Sequence, residues 1–554
     1  MMMLSLGFQS NTYIPWLTIL SLFASFLVLS NILYNIFFHP LAHIPGPFWA
    51  RATGFPSWYH AITGNRHIWL LKQFELYGPR VRPEPNTVLF RDAEAYRGIY
   101  SMKSNVRRSP FYTALKRNKH EATVLTSVDV AEHARKRKTI NLCFTEKSLA
   151  AACDFIVRHV DRWHRLFEEE IDSDDWSAPV DFTEKVDALV FDIMGDLCFG
   201  RSFDVKEPGG NPLKAVPHCI AEYMLFYYAC CRSPFLGVLN WLKPRGLDRL
   251  FEIIVPPTIK QYNKFVYDSI TRRIAQQKEQ AGKPLEERRR DIFYFLCEAR
   301  DPETNQPAYN EHTLRAEANL LIIAGSDTTS ISLSGIFFYL SRDPERCEKL
   351  ADEILKAFES VDEIVYGAKL LACTYLKACI DEGMRLTPTG PCELPREVLS
   401  GGLLVKGEYY PEGTIVGTVP WADSLNQEVY RDAGVFRPER WVGDDANSKA
   451  EVTRLISNFH PFSSGPRNCV SKNVAMAEMM ITVARTLYRF HVRRAPGSTL
   501  GCGRPGLGWG RTDENQFQLV DAYISLRQGP EVQFRKRIIK IGAYTKDSLR
   551  CDCP

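Results

Sequence analysis

The sequence is short of the features that mark several large classes of protein. Its 15 cysteines among 554 residues are too sparse for a disulfide-stapled fold, and their spacings match no zinc site. Basic residues (69) barely outnumber acidic ones (65) and form no arginine-rich arm, so we expect no nucleic-acid partner. No internal repeat interrupts the chain. With 24% charged and 45% hydrophobic residues, the composition favours one globular body in a reducing compartment.

Charge is missing altogether from the first 50 residues, and Arg51 is the first charged side chain. This stretch contains 25 mostly apolar residues at 14–38, more than the roughly 20 that span a bilayer. A cleavable signal peptide would have a basic start and an apolar core of only about 7–15 residues. We therefore predict a retained membrane anchor over residues 1–38, with the rest of the chain on the cytosolic side because the basic residues follow the anchor. The alternative is a buried core helix.

The rest of the chain divides by composition. Three prolines in HPLAHIPGP predict a stiff hinge at 39–50, followed by a body over 51–540 and a C-terminal tail at 541–554. Helical patterns dominate from about 130 to 390, and short β-like runs flank them. The predicted fold class is mainly α with small β-sheets.

A glycine-rich segment at 496–510 contains a literal G-x-G-x-x-G at Gly501, Gly503 and Gly506. A dinucleotide site needs an apolar strand immediately before this motif and a helix opening behind it. The sequence offers neither, and Pro505 lies inside the motif. We therefore expect a surface loop, and any electrons that the protein uses must come from a partner.

The strongest chemical signal is FSSGPRNC, which begins at Phe462 and ends at Cys469. Gly465 and its neighbouring proline force a tight turn, and Arg467 places a cation two residues before the sulfur. An amphipathic helix starts just after the cysteine, and the free N–H groups and positive dipole end of such a helix stabilise a thiolate. The residues alone leave a metal ligand and a nucleophile open.

This loop, F-x-x-G-x-R-x-C, resembles the haem-binding loop of the cytochrome P-450 superfamily, the haem-thiolate monooxygenases. The resemblance implies the cytochrome P-450 fold, haem b as cofactor, Cys469 as the ligand of the iron, and Arg467 and Phe462 as haem contacts. The family loop normally has glycine two positions after the cysteine, and this chain has Ser471 there. We expect a local adjustment at that position rather than loss of haem.

Three further motifs stand in the family's order. Glu382 and Arg385 form the E-x-x-R pair, which the resemblance joins to Arg440 in a buried structural triad. AGSDTT, within an apolar segment at 313–342 that predicts a 30-residue helix, is similar to the oxygen-activation segment. From the residues alone it could also be a kink or a cluster of hydroxyls bonded back to the backbone. The resemblance assigns the acid and alcohol roles to Asp327 and Thr328.

The remaining haem contacts are basic side chains. His133 and Arg137 lie at i and i+4 of a predicted helix, so both can reach one anion, although such a run is often only a solvated basic face. The resemblance makes them contacts of a haem propionate, and Arg396 a further one.

The resemblance also implies the activity and its partners. It implies a monooxygenase of the fungal microsomal type used in secondary metabolism, which oxidises an apolar small molecule with dioxygen and electrons from an NADPH-dependent flavoprotein reductase. The location would be the endoplasmic reticulum membrane, through a single span in contact with lipid. The alternatives are a haem-thiolate isomerase or dehydratase and a non-catalytic haem-binding membrane protein.

Two surfaces follow from the same resemblance. A basic face could dock the reductase, and an aromatic set could line the substrate pocket, although plain core packing is common for aromatics. The candidates are Arg135, Lys136 and Lys472 for the first surface, and Phe111, Tyr112, Phe226, Tyr227, Tyr228 and Leu394 for the second.

Overall fold

The computed structural model describes residues 13–116, 123–171, 175–301, 304–443 and 448–538. The first twelve residues of the predicted anchor and the predicted tail at 541–554 lie outside the described residues. Helices dominate the described part, and the strands form small sheets, so the predicted fold class is confirmed.

The α-helices are named in chain order. They are α1 (Tyr13–Leu33), α2 (Phe48–Ala52), α3 (Phe55–Ile62), α4 (Arg66–Tyr77), α5 (Ala93–Tyr100), α6 (Phe111–Ala114), α7 (Val130–Asn141), α8 (Glu146–Glu170), α9 (Phe182–Phe199), α10 (Val216–Cys231), α11 (Leu236–Leu242), α12 (Leu247–Ile254), α13 (Pro257–Gln280), α14 (Ile292–Glu298), α15 (Glu311–Leu340), α16 (Pro344–Ala357), α17 (Ala368–Leu371), α18 (Thr374–Leu386), α19 (Pro420–Ser424), α20 (Lys449–Ile456) and α21 (Lys472–Arg489).

The strands fall mostly before and after the long helical stretch of the chain. They are β1 (Arg80–Glu84), β2 (Thr87–Phe90), β3 (Val106–Arg108), β4 (Val180–Asp181), β5 (Arg396–Val398), β6 (Leu403–Val405), β7 (Glu408–Tyr410), β8 (Ile415–Thr418), β9 (Phe490–Arg494), β10 (Val520–Ala522), β11 (Ile524–Leu526) and β12 (Glu531–Lys536). The largest sheet has the order β1-β2-β8-β5-β3, and only its β2–β8 pair is parallel. A second sheet runs β4-β12-β9, and β6–β7 and β10–β11 are antiparallel pairs.

Helix α15 is the centre of the core. It begins where Asn310 accepts a hydrogen bond from the backbone N–H of Thr313 (2.9 Å), and it runs for 30 residues, two positions earlier in the chain than the sequence predicted. Helices α9, α18 and α21 pack around it. At Gly325 a Cβ would lie 2.5 Å from the Cε of Met194 on α9, so the glycine permits the close approach of the two helices.

Two helices are long and apolar enough to cross a membrane by length and composition. Thr18–Phe38 has a mean hydropathy of 1.9 and is only 11% buried, whereas Glu311–Leu340 is 67% buried and is the core helix α15. The first continues α1 through a π-helical turn, Tyr34–Phe38. The segment 39–47 is non-helical, and α2 begins at Phe48, inside the residues predicted as a hinge.

The predicted buried triad of Glu382, Arg385 and Arg440 is present. The Glu382 Oε1 atom lies 2.8 Å from Nη2 of Arg385 and 3.0 Å from Nε of Arg440, and all three side chains are buried. Trp441 Nε1 and the backbone N–H of Arg437 also donate to this carboxylate, each at 2.9 Å. Burial alone would raise the pKa of Glu382, but the arginines bring it below its usual range.

Candidate functional site

All eight predicted site residues border one cavity of about 1140 Å³ inside the described part of the chain. The wall that carries the cysteine comes from the loop before α21, and the opposite wall comes from the middle of α15. The basic residues come from α7, from β3 and β5, and from the cysteine loop. The eight residues are His133, Arg137, Asp327, Thr328, Arg396, Phe462, Arg467 and Cys469.

The cysteine loop is shaped by one glycine and by a backbone hydrogen bond. Gly465 has a φ of 68°, and a Cβ there would lie 2.0 Å from the carbonyl oxygen of Tyr100, so only glycine fits. The backbone N–H of Cys469 donates to the carbonyl of Phe462 (2.9 Å), which closes the loop three residues before α21 begins. The half-buried sulfur is therefore presented to the cavity close to a helix N-terminus.

Ser471, which replaces the usual glycine of the family loop, fits without backbone strain. Its φ of −95° lies in the ordinary negative region, so no local rearrangement of the turn is needed. Its Oγ lies 3.5 Å from the Sγ of Cys469, within hydrogen-bonding distance for sulfur.

Four arginines converge on the cavity, and none of them forms a salt bridge within the described residues. Each is held by oxygen atoms of the chain: Arg467 donates to the carbonyl of Ser127 (2.6 Å), Arg108 to Val124 (2.8 Å), Arg396 to Leu394 (3.1 Å), and Arg137 to the Asn468 side chain (2.6 Å). Hydrogen bonds therefore fix the positions of the four guanidinium groups, but no carboxylate among the described residues neutralises their charge.

The pKa values record this concentration of positive charge. Burial, together with Arg108 and Arg396, lowers the pKa of Arg467 to about 9. Burial and the four arginines lower the pKa of His133 to about 3, so its imidazole is neutral at physiological pH and can donate one hydrogen bond.

These observations agree with a bound haem. A half-buried cluster of cations without carboxylate partners is costly unless an anion joins it, and the two propionates of a haem supply that charge. Within the described part of the chain no acceptor takes the buried Nε of Arg108, as expected if its acceptor belongs to a bound anion. The chemistry of the donor set, one cysteine sulfur and several cations, matches a haem-thiolate group.

On the opposite wall, Asp327 and Thr328 occupy successive positions of α15. The hydroxyl of Thr328 donates to the carbonyl of Ala324 (2.8 Å), so the back-bonding that the sequence left open does occur, and the hydroxyl still borders the cavity. Burial raises the pKa of Asp327 to about 7. The negative charge of Asp187 raises this pKa further, and the positive charge of Arg527 lowers it. Arg527 itself pairs with Asp187 and donates to Ser330 (2.9 Å).

The aromatic pocket candidates divide into two groups. Tyr112, Tyr227 and Leu394 border the cavity as predicted. Phe111 and Tyr228 instead pack in a core cluster with α6 and α10, and Phe226 is 43% exposed, so none of these three lines it. An aromatic run on one helix cannot line one cavity with every member, because successive side chains point to different faces.

Several site residues escaped the sequence analysis. Arg108 joins the basic cluster from β3, and Glu478 on α21 is a buried acid that borders the cavity behind Thr329. Burial raises the pKa of Glu478 to about 8, and among the residues that the structure describes its Oε1 atom has no hydrogen-bond partner. Glu478 lies on the amphipathic helix that follows the cysteine, and an acid among the apolar residues of that helix was the signal that could have identified it. Arg108 had none, because only the fold brings β3 to this cavity.

Comparisons with known proteins agree with the geometry. A sequence model of the family described as Cytochrome P450 matches residues 59–501. The cytochrome P450 monooxygenase fscF of Fusarium equiseti is 31% identical over 97% of this chain and 99% of its own length. The monooxygenases AKT7 of Alternaria alternata and apf7 of Gibberella fujikuroi are each 32% identical over 91% of this chain, and over 94% and 95% of their own lengths. With its cysteine loop, basic cavity and acid–alcohol pair on one core helix, this chain belongs to the cytochrome P450 family.

Proposed function

We propose that this chain is a haem-dependent monooxygenase that hydroxylates or otherwise oxidises an apolar small molecule. The observation that carries the proposal is a single cavity that Cys469, Asp327 and Thr328 all border. The isomerase, dehydratase and non-catalytic alternatives are not favoured, because the acid–alcohol pair faces the cavity and the relatives named above are all monooxygenases.

The cavity residues would hold haem b. Cys469 would supply the thiolate, and His133, Arg137, Arg396 and Arg467, joined by Arg108, would bind the propionates, with Phe462 packed beside the ring. When bound, such a group activates dioxygen and allows one oxygen atom to enter a C–H bond of the substrate. Oxygen atoms of the chain already hold these arginines in place. Haem binding therefore does not require additional loss of their side-chain conformational entropy.

Asp327 and Thr328 would manage the protons that the reaction consumes. Thr328 borders the cavity with its hydroxyl oxygen, which can hold a hydrogen-bonded oxygen atom in place. Asp327 has a pKa of about 7, close to working pH, which suits a group that takes up and releases protons repeatedly. Beside it, Arg527 pairs with Asp187, whose carboxylate is partly exposed. Protons from solvent could reach Asp327 through this pair.

Electrons would come from an NADPH-dependent flavoprotein reductase. Arg135 on α7 and Lys472 at the start of α21 are exposed and flank the cysteine side of the cavity. An acidic partner surface docked there would approach the haem edge on the cysteine side. Lys136 lies on the same helix, 3.9 Å from Glu132, and adds to this face less directly.

The chain would be anchored in the endoplasmic reticulum membrane through α1. The exposed apolar side chains continue beyond that helix onto α2, α3 and α11, including Trp49, Phe55 and Trp241. Phe55 and Phe235 lie 5.9 Å apart, so the two regions form one apolar face beside the anchor. Deletion of residues 1–38 should release the protein from vesicles while haem binding persists. A haem-free deletion product would show that the span belongs to the core.

The substrate would be a largely apolar natural product of fungal secondary metabolism. Terpenoid, polyketide and alkaloid scaffolds all suit a cavity whose distal walls are mostly apolar. Comparing metabolites produced with and without the protein would identify the pathway.

The decisive test of the proposal is Cys469→Ser in the haem-loaded full chain. The variant should lose the absorption band that reduced, carbon-monoxide-treated haem-thiolate proteins show, because serine removes the thiolate. Cys219→Ser is the matched control, since this half-buried thiol lies away from the cavity wall and should leave the band intact. A normal band in Cys469→Ser would refute the assignment.

A further inference from the structure

Two carboxamides lie in the part of the cavity lined by α10, α13 and α15, which is mostly apolar but also includes Lys260. The walls there come from α10, α13 and α15 and include Ile220, Met224, Ile259, Leu320 and Ile323. Asn263 on α13 and Asn319 on α15 border the same space. A carboxamide facing an apolar cavity is unfavourable unless something forms hydrogen bonds with it, so the two asparagines need an explanation.

Asn319 is held in one orientation by a buried tyrosine. The hydroxyl of Tyr262, whose side chain is 2% exposed, donates to Oδ1 of Asn319 (3.2 Å). Within the described residues no acceptor takes the amide Nδ2, and Asn319 borders the cavity, so this donor is available to a bound molecule. Asn263 likewise has no hydrogen-bond partner among the residues that the structure describes.

The position of Asn319 sets a length for the ligand. Asn319 precedes Thr328 by nine residues of α15, which correspond to about 13 Å of helical rise and two and a half turns. Their side chains therefore leave the helix on opposite sides, and about 13 Å is the smallest separation between the two contacts. Under the proposed function, Thr328 marks the place where oxygen is handled. A molecule that touches both residues must therefore be elongated, with its polar group far from the carbon that is oxidised.

From these contacts we propose that the substrate is an elongated, largely apolar molecule with a hydrogen-bond-accepting oxygen, which the Asn319 amide binds. A hydroxyl, carbonyl or ether oxygen at least about 13 Å from the oxidised carbon satisfies the geometry. This inference rests on the proposed function and adds the substrate class and the residue that selects it.

The test is a binding titration of the haem-loaded full chain with dodecanol and with dodecane, followed by calorimetry and by the haem absorption shift. The wild type should bind dodecanol about tenfold more tightly than dodecane, the value of one good neutral hydrogen bond. Asn319→Leu should abolish that preference and leave dodecane binding unchanged. Tyr262→Phe should reduce the preference partly, because the amide loses its orientation.

Leu320→Ala is the matched control, because this neighbouring wall residue should weaken both probes alike. An unchanged preference for dodecanol in Asn319→Leu, or no binding of dodecanol by the wild type, would overturn the inference. The carbon-monoxide spectrum of each variant is recorded first. Its absence would refute the proposed function, whereas a normal spectrum with no effect of Asn319 would refute only the inference.

A second inference rests on a different observation, the contact between Ser471 and the cysteine. Ser471 occupies the N-cap position of α21, where a serine hydroxyl commonly accepts a hydrogen bond from the first turn. Here the side chain makes no such capping bond, and its Oγ lies 3.5 Å from the Sγ of Cys469 instead. A thiolate has no proton, so in the metal-bound state only the hydroxyl can donate.

We infer that Ser471 is a positioning residue that donates a hydrogen bond to the Cys469 thiolate and raises the reduction potential of the bound haem. A donor to the sulfur withdraws electron density from the metal ligand, and this favours the reduced state. The inference again rests on the proposed haem-thiolate function.

The measurement is a spectroelectrochemical titration of the haem-loaded full chain. Ser471→Ala and Ser471→Gly should both lower the potential, with about a tenfold change in the oxidised-to-reduced ratio, or 59 mV for a one-electron couple. Ser471→Thr, which keeps the hydroxyl, should restore the wild-type value. Equal potentials in all four proteins would overturn the inference, whereas loss of the carbon-monoxide band in the wild type would refute the proposed function itself.

Discussion

Two buried acids in this molecule have opposite surroundings. Glu382 on α18 is surrounded by donors from Arg385, Arg440, Trp441 and the backbone, and these lower its pKa despite complete burial. Asp327 on α15 accepts no hydrogen bond from any described side chain, and burial raises its pKa to about 7. The first acid is fixed in one charge state, and the second can change its charge at physiological pH.

This difference separates a structural acid from a chemical one. A carboxylate whose lone pairs are all used cannot move a proton, but it ties separate segments of the chain together. A carboxyl group with spare lone pairs beside a cavity contributes little to stability but can exchange protons. The comparison predicts that substitutions at the two acids will affect different properties of the protein.

The largest effect is expected from Glu382→Ala. Two arginines would lose their buried partner, and such a loss costs about 3–5 kcal/mol in the free energy of unfolding. We expect a protein that retains little haem and unfolds at much lower denaturant concentration, measured by chemical denaturation and by the carbon-monoxide spectrum.

Glu451→Ala is the matched control for this change. Glu451 pairs with Arg454 at 2.8 Å on the surface of α20, where both side chains are at least one-third exposed. A solvent-exposed pair of this kind contributes little to stability. If the two alanine variants lose similar stability, the distinction between the acids fails on its structural side.

The next effect concerns turnover in Asp327→Asn. The amide keeps the shape of the side chain but cannot relay a proton, so turnover should fall by about a hundredfold while substrate binding is retained. The measurement is product formation with a reconstituted reductase, in water and in deuterium oxide. Unchanged turnover with an unchanged solvent isotope effect would remove Asp327 from the proton route.

A smaller, more selective effect is expected from Thr328→Ala. The variant lacks the hydroxyl that borders the cavity, so electrons should be diverted into hydrogen peroxide and the product formed per NADPH should fall several-fold. Thr328→Ser keeps the hydroxyl and is the control. If Thr328→Ala forms as much product per NADPH as the wild type, the hydroxyl has no role in the reaction and only forms the hydrogen bond to the carbonyl of Ala324.

Sequence reasoning located those parts of the site that lie in contiguous motifs. Arg440 was joined to Glu382 only through the family resemblance. The loop that ends at Cys469, the bounds of α15 to within two residues, and the pairing of Glu382 with Arg385 were accessible from local spacing. Each of these features depends on a turn, a periodicity or an i,i+3 contact, which the sequence encodes directly.

The parts that escaped depend on contacts between distant segments. Arg108 lies on β3, and Arg527 follows β11 some 200 residues after Asp327, so no local pattern connects either residue with the cavity. Asn319 looked like any polar residue in a helix until the fold placed Tyr262 beside it. The prediction that all the aromatic candidates line the pocket was wrong because it ignored side-chain direction. Phe226 and Tyr227 are neighbours in sequence, but only Tyr227 borders the cavity.

The sharpest test of the comparison is the pH dependence of stability. In the folded protein Asp327 keeps its proton up to about pH 7, whereas in the unfolded chain it loses the proton near its ordinary value of 3.8. Between these values the folded state binds more protons, so the contribution of Asp327 to the free energy of unfolding decreases as pH rises. One proton corresponds to a slope of at most about 1.4 kcal/mol per pH unit.

Asp327→Asn cannot titrate, so its stability relative to the wild type should increase from about pH 4 to pH 7 and then level off. Denaturant titrations across this range, with equal haem content, measure the difference, and Thr328→Ala serves as a non-titrating control on the same helix. Arg527→Gln should extend the window to higher pH, because the attraction that opposes the raised pKa is removed. Parallel stability curves for wild type and Asp327→Asn would mean that Asp327 is as firmly fixed in one charge state as Glu382, and the contrast between the two acids would disappear.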